Sequence, residues 1–283
     1  MATPLAINTN LGSITAQKNV SQNSRSLQQS IQRLSSGLRL NSASDDAAGM
    51  AVATGLRAQI GGYQQASRNA NDAIAILQTA EGAYNTVGDN LMRMRELAVQ
   101  AASDGLTDGE RQYIKTEFQD IQDDIDRISN VTEYNGTKLL DGTAGSAGLM
   151  TFQVGTRNTA NDQITITLKD IDTGASSLNV VKGTVGVSSL AQAQSAIASI
   201  DDAIDFLSTQ RTEIGSKLNK LDNAVTNLGT TVQNLSQATS QIRDVDIASE
   251  SAAFASAQVL QQAGVSMLAQ ANQLPNLALR LVG

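Results

Sequence analysis

Residues 197–242 read IASIDDAIDFLSTQRTEIGSKLNKLDNAVTNLGTTVQNLSQATSQI, and this stretch decides the fold class. Ile197, Ile200, Ile204, Leu207, Arg211, Ile214, Leu218, Leu221, Val225, Leu228, Val232, Leu235, Thr239 and Ile242 step by alternating three and four residues. All but Arg211 and Thr239 are aliphatic. Such a pattern is the a/d seam of a coiled-coil-like helix, sustained well beyond the length of an ordinary globular helix. At 1.5 Å per residue, a helix over residues 190–243 would be about 80 Å long.

Working outward, a second seam runs through Ala73, Leu77, Ala80, Tyr84, Val87, Leu91, Met94, Ala98 and Ala101, and a shorter one through Ile114, Phe118, Ile121, Ile125 and Ile128. Between them, Ser103 to Gly109 reads as a turn, with Asp104 and Asp108 suited to helix ends. Three matching seams predict a bundle in which each helix supplies the others' apolar partner. The ends carry narrower versions. Val20, Ser24, Leu27, Ile31, Leu34 and Leu38 fit the same stepping near the start. Near the end Leu260, Met267, Leu274 and Leu281 recur every seven residues, with the small residues Gly264, Ala271 and Ala278 between them. One narrow stripe makes a helix marginal alone, so these segments are expected to order fully only on assembly.

Residues 135–189 break the helical pattern. Thr151–Val154 and Gln163–Leu168 favour strands and flank a turn-rich link, which predicts a hairpin packed on the bundle. Residues 172–189 read as a surface excursion. The fold class is therefore mainly α: a long coiled-coil-like helical bundle with a small β-hairpin region, and discontinuous N- and C-terminal helices that pack together.

Charge divides the chain differently from its sum of −7. All 27 acidic residues lie between Asp45 and Glu250. Residues 1–44 carry only Lys18, Arg25, Arg33 and Arg39, and residues 251–283 only Arg280. Ends so poor in charge suit surfaces that must lose water, because burying an unpaired charge costs several kcal/mol. The acidic balance disfavours a nucleic-acid partner.

The chain has no Cys, His or Trp. Serine–histidine, cysteine-nucleophile and zinc–histidine chemistry are thereby excluded, leaving only carboxylate catalysis for an enzyme. No Gly-rich phosphate loop occurs, and no cofactor or metal site is expected. Asp45-Asp46 could be read as a carboxylate pair, but Ser44-Asp45-Asp46 before Ala47-Ala48 more simply gives an N-cap with acidic first-turn residues. The cluster Asp120, Asp123, Asp124 and Asp126 lacks the Gly and terminal Glu of a calcium loop and reads as a solvated helix face. Asn130-Val131-Thr132 is a glycosylation triplet by pattern only. No apolar run approaches the length of a membrane helix, and the start lacks a basic-then-apolar signal layout, which by itself would place the protein in the cytoplasm.

Several long motifs change that expectation. Residues 35–50, SSGLRLNSASDDAAGM, resemble the N-terminal signature of bacterial flagellins, and Gln65–Asp72 and Arg95–Gln100 resemble its continuation. Leu260–Gln273, LQQAGVSMLAQANQ, is similar to the flagellin C-terminus. The resemblance covers residues 1–142 and 190–283. It implies a non-enzymatic subunit that self-assembles into the flagellar filament, secreted through the flagellar type III export apparatus with an export chaperone. Filament cap and hook-junction proteins are further implied partners, with no membrane insertion.

The implied layout is an inner terminal domain of residues 1–44 and 246–283 forming the filament core. A central rod domain follows, of residues 45–171 and 190–245, with 172–189 as a short variable excursion in a compact family member. The core-packing residues would be Val20, Leu27, Ile31, Leu34, Leu38, Leu260, Gly264, Met267, Ala271, Leu274, Ala278 and Leu281. The Arg95–Gln100 motif further implies a surface met by the innate immune receptor TLR5, which on this chain selects Arg93, Leu97 and Glu117. The alternative is a hook–filament junction protein, which shares the terminal motifs.

Overall fold

The computed structural model describes residues 9–174 and 178–282, with side chains as far as Gln273. Five helices dominate: α1 (Leu11–Ser36), α2 (Ala47–Ala101), α3 (Asp108–Val131), α4 (Leu190–Arg243) and α5 (Ile247–Val282). Two antiparallel hairpins lie between α3 and α4 in the chain, β1 (Glu133–Tyr134) with β2 (Thr137–Lys138) and β3 (Leu149–Gln153) with β4 (Gln163–Thr167). The mainly α class, the bundle, the hairpin region and the packing of the terminal helices are all present. The chain separates into two compact units, residues 1–58 with 234–283 and residues 59–233.

In the unit of residues 59–233, all nine seam positions of α2 from Ala73 to Ala101 are at most 1% exposed. Opposite them, α3 buries Ile114, Phe118 and Ile125, and α4 buries Ile200, Leu207, Ile214, Leu221 and Leu228. Of the other α4 seam residues in this unit, Ile197, Ile204, Leu218, Val225 and Val232 are only half-buried, and Arg211 is exposed. Ala193, Ala196, Ala203 and Gln210 are buried beside the seam. A helix with several partners buries a wider stripe than a two-residue seam. α4 has such partners: Leu207 lies against Gly88 of α2, where an added Cβ would sit 3.3 Å away, and Phe206 lies under the Lys169 ammonium after β4.

Polar side chains fix the turns. Thr107 caps α3 in a reciprocal box with Glu110, and the buried Arg111 guanidinium donates to the Ala101 and Ser103 carbonyls at the end of α2. One cation thus satisfies carbonyls that a helix end leaves unpaired. The first hairpin turns on Asn135 (φ 50°) and Gly136 (φ 77°), the left-handed pair that a two-residue turn requires. In the second, Phe152 pairs with Ile164 and Met150 with Ile166, and both isoleucines face the core.

Residues 172–189 are not a surface excursion over their described part. Leu178, Val180 and Val187 are buried, and Gln122 of α3 donates to the Val180 and Val185 carbonyls from a fully buried position. Asp126 accepts from the Thr173 backbone and hydroxyl, and Asp123 pairs with Lys182. The valines that read as loop residues complete the core left open beside α3.

In the other unit, α1 runs antiparallel to α5, with Asn10 at Ala271 and Arg33 at Glu250. Gly37 ends α1 with φ 71°. The following loop joins the corner between α4 and α5 through a Leu38–Asp244 bridge and the Arg39 N–H to the Arg243 carbonyl. The N-terminus of α2 differs in detail from expectation. Asp46 accepts the Gly49 N–H and is the cap, while Asp45 lies before the helix and accepts the Asn41 and Ser42 backbone N–H groups. Neither carboxylate enters the first turn, so both act on backbone donors.

Candidate assembly surface

The α1–α5 pair is joined by a stripe in which Val20, Leu27, Leu34, Phe254 and Leu268 are interleaved with small and polar residues. On α1 the half-buried or buried positions are Ser13, Ala16, Val20, Asn23, Ser24, Leu27, Ser30, Arg33 and Leu34; on α5, as far as Gln273, they are Glu250, Phe254, Ala257, Gln261, Gly264, Leu268 and Ala271. The helices approach closely at Gly264, where a Cβ would lie 2.8 Å from Val20 Cγ2. Polar closures sit at both ends: the Asn10 amide donates to the Ala271 carbonyl at 2.7 Å, and Arg33 pairs with Glu250 at 3.5 Å. Gln261 Oε1 and Arg33 Nε are buried without a partner. A seam of this kind buries little apolar area and leaves desolvated polar atoms, so it contributes modestly to stability.

A second set of aliphatic side chains points away from it. Leu11, Ile14 and Ile31 on α1, and Val259, Leu260, Val265 and Met267 on α5, are each 49–65% exposed. Both helices therefore present apolar residues to the outside, and covering each such side chain would contribute about 1.5–3 kcal/mol.

The residues selected from sequence thus divide between two faces. Val20, Leu27, Leu34, Gly264 and Ala271 belong to the α1–α5 seam, Leu38 to the adjoining loop, and Ile31, Leu260 and Met267 to the outer face. Leu274, Ala278 and Leu281 lie outside the residues whose side chains are described. Sequence reasoning missed the outward Leu11, Ile14, Val259 and Val265. It also missed the true α5 seam at Phe254, Ala257, Gln261 and Leu268. Their three–four spacing was present, but Ala, Gln and Gly hide it from any search keyed to large aliphatics.

On the unit of residues 59–233, Arg93 reaches Glu117 of α3 at 2.7 Å and Glu96 on its own helix at 2.9 Å. The bond to Glu117, then that to Glu96, pushes the guanidinium pKa further up. Arg93 and Glu117 are about half exposed, so the pair contributes little to stability and stays available to a partner. Leu97 is not at the surface: it is 2% exposed and belongs to the hydrophobic core. Its role as a direct contact is corrected accordingly, because Leu97 follows Met94 on the buried side of α2.

Among the described residues no helix is long and apolar enough to cross a membrane, and no group of His, Cys, Asp or Glu is arranged to hold a metal ion. What the fold defines is a helical structural subunit with an apolar face left open on its terminal helices.

Residues 7–145 match the bacterial flagellin N-terminal helical region, and residues 197–282 the bacterial flagellin C-terminal helical region. The chain is 39% identical to a flagellin of Halalkalibacterium halodurans over 98% of this chain and all of that protein. It is 38% identical to a flagellin of Bacillus subtilis over 98% of this chain and all of that one. A solved structure of a putative flagellar hook-associated protein from Vibrio parahaemolyticus superposes with a TM-score of 0.60 over 71% of this chain and all of that one, at 19% identity. The chain belongs to the bacterial flagellin family. It is a structural subunit that self-assembles into the bacterial flagellar filament used for motility, outside the cell. The hook-associated likeness is one of fold alone, and the junction-protein alternative is not favoured.

Proposed function

We propose that the α1–α5 pair is the inner terminal domain of the filament, with residues 1–44 and 246–283 in its core and residues 45–171 with 190–245 as the surrounding rod. The observation that carries this reading is the outward aliphatic face on both terminal helices, which no described residue of the subunit covers. Ile31, Leu260 and Met267 then meet neighbouring copies, while Val20, Leu27, Leu34, Gly264 and Ala271 hold the two helices of one copy together. Leu38, Leu274, Ala278 and Leu281 belong to the same packing. The drive is apolar burial at about 25 cal/mol per Å², opposed by the ordering of helices that are marginal alone. Such packing is heterologous and propagates instead of closing. Removing residues 255–283 is expected to leave a soluble monomer with residues 59–233 intact; filaments from that truncation, seen by electron microscopy, would overturn the assignment.

The subunit is further read as carrying no catalytic activity, since it lacks His and Cys and needs none to assemble. Its export is assigned to the flagellar type III apparatus with a chaperone, and its place in the filament to contact with cap and hook-junction proteins. Arg93 and Glu117 form the candidate TLR5 contact, without Leu97, which is buried in the core. A receptor reporter assay tests this: wild-type signalling by a folded Arg93→Ala/Glu117→Ala monomer would remove the assignment.

A further inference from the structure

The chain contains neither Cys nor Trp, so its methionines are the side chains most open to two-electron oxidants. Met50, Met92, Met94, Met150 and Met267 lie among the residues with described side chains. Met94 is fully buried in the core, and Met50 and Met150 are half-buried. Met92 and Met267 stand apart, at 53% and 59% exposure. Met92 is on α2 in the unit of residues 59–233, and Met267 is on α5 in the terminal pair.

The surroundings of Met267 give its oxidation a consequence. It stands two turns after Leu260 on the same side of α5, and both are more than half exposed. The seam that holds α5 against α1 lies beside them, at the half-buried Gln261, Gly264 and Leu268. A polar group added at Met267 therefore stays hydrated in the free subunit and does not have to enter that seam. Covered by a neighbouring copy, the same group would be buried among apolar side chains, which is unfavourable without a hydrogen-bond partner.

We propose that Met267 is an oxidation site of the unassembled subunit: a peroxide-class oxidant converts its thioether to the sulfoxide, and the modified subunit no longer adds to a filament. The proposal rests on the assembly face assigned above to the terminal helices. With hydrogen peroxide, the sulfur takes one oxygen as the O–O bond breaks, and the second oxygen leaves with both protons as water. The sulfur loses two electrons and the peroxide gains them. A flexible apolar side chain thereby becomes a polar one, a change that disrupts apolar interfaces and is reversed by sulfoxide reductases.

The test treats the full-length monomer with hydrogen peroxide, maps each methionine by peptide mass, and measures the critical concentration for seeded filament growth. Met92 and Met267 are expected to oxidise first, and Met94 to stay reduced. The treated monomer is expected to keep its melting curve while its critical concentration rises about tenfold or more, the effect of losing one buried methionine side chain. Methionine sulfoxide reductases are expected to reverse the rise. Met267→Leu is expected to grow as wild type and to become insensitive to peroxide, whereas Met92→Leu stays sensitive. A Met267 that stays reduced while Met92 oxidises would overturn the proposal. So would wild-type growth of a monomer oxidised at Met267, or equal peroxide sensitivity of Met267→Leu and wild type. In each of these failures untreated wild-type chain still forms filaments and Leu260→Ala does not, so they are distinguishable from failure of the assembly face itself.

Discussion

The two compact units use the same heptad spacing for different ends. Around residues 59–233, every seam position of α2 is closed by side chains of α3, α4 or the hairpin segment, including the fully buried Tyr84, Phe118, Leu91 and Met94. Burial pushes the Tyr84 phenol pKa well up, with the nearby Glu213 and Asp170 charges adding to the shift. In the α1–α5 pair, the inward stripe mixes Ala, Ser, Gly, Asn and Gln with Val20, Leu27, Leu34, Phe254 and Leu268, and all of it but Ser30 and Ala257 is only half-buried, while Leu260 and Met267 are more than half exposed. Periodicity alone therefore does not distinguish a helix that is finished from one awaiting a neighbour. The placement of the large side chains, inward or outward, does.

The sharpest way to break this comparison is to remove one large side chain from each unit. Phe118→Ala should destabilise the monomer by about 3–5 kcal/mol in urea unfolding, because Phe118 is fully buried. Leu260→Ala should change the same measurement by less than about 0.5 kcal/mol, yet prevent filament growth in a sedimentation assay. Equal monomer effects would erase the distinction between the units. Next in size, Arg111→Ala is expected to cost about 1.5–3 kcal/mol, since it strips two helix-end carbonyls of a charged donor.

Gly264→Val probes the seam itself. A Cβ at that position meets Val20 within 2.8 Å, so the α1–α5 pair must separate, at about 1–3 kcal/mol, with the melting of residues 59–233 unchanged. The smallest expected effect concerns pH. Backbone donation from Ser42, then from Asn41, holds the Asp45 carboxylate below its ordinary value of 3.8. A depressed folded pKa gives stability that is present above the unfolded value and lost as pH falls through the folded one. Asp45→Asn should therefore flatten the acid limb of the stability curve below about pH 4, read by circular dichroism, and leave neutral pH almost unchanged.

Much of this was legible in the sequence because helices write their burial into residue spacing. The α2 seam could be named residue by residue, since Ala, Leu, Val and Met at three–four intervals have one physical reading. The hairpin of Thr151–Val154 with Gln163–Leu168 was legible to within two residues of the observed β3 and β4. The first hairpin was not, as its strands have only two residues each and its signal is the Asn135-Gly136 turn alone. On α5 the reading named Gly264 and Ala271, which face α1, together with Leu260 and Met267, which lie on the open face, because large aliphatics at seven-residue spacing mark an exposed stripe as readily as a buried one.

By itself, then, the sequence determined the helices, their seams, the charge-poor ends and the family motifs, all of which depend on residues near one another in the chain. Tertiary structure decided which face of α5 meets α1, that Leu97 lies in the core and not on the surface, and that Val180 and Val187 belong to the core. These are outcomes of competition between surfaces distant in sequence, where a small residue wins a place by close approach and a large one is left outside. Spacing records that a helix has a face; only the packed chain shows which neighbour takes it.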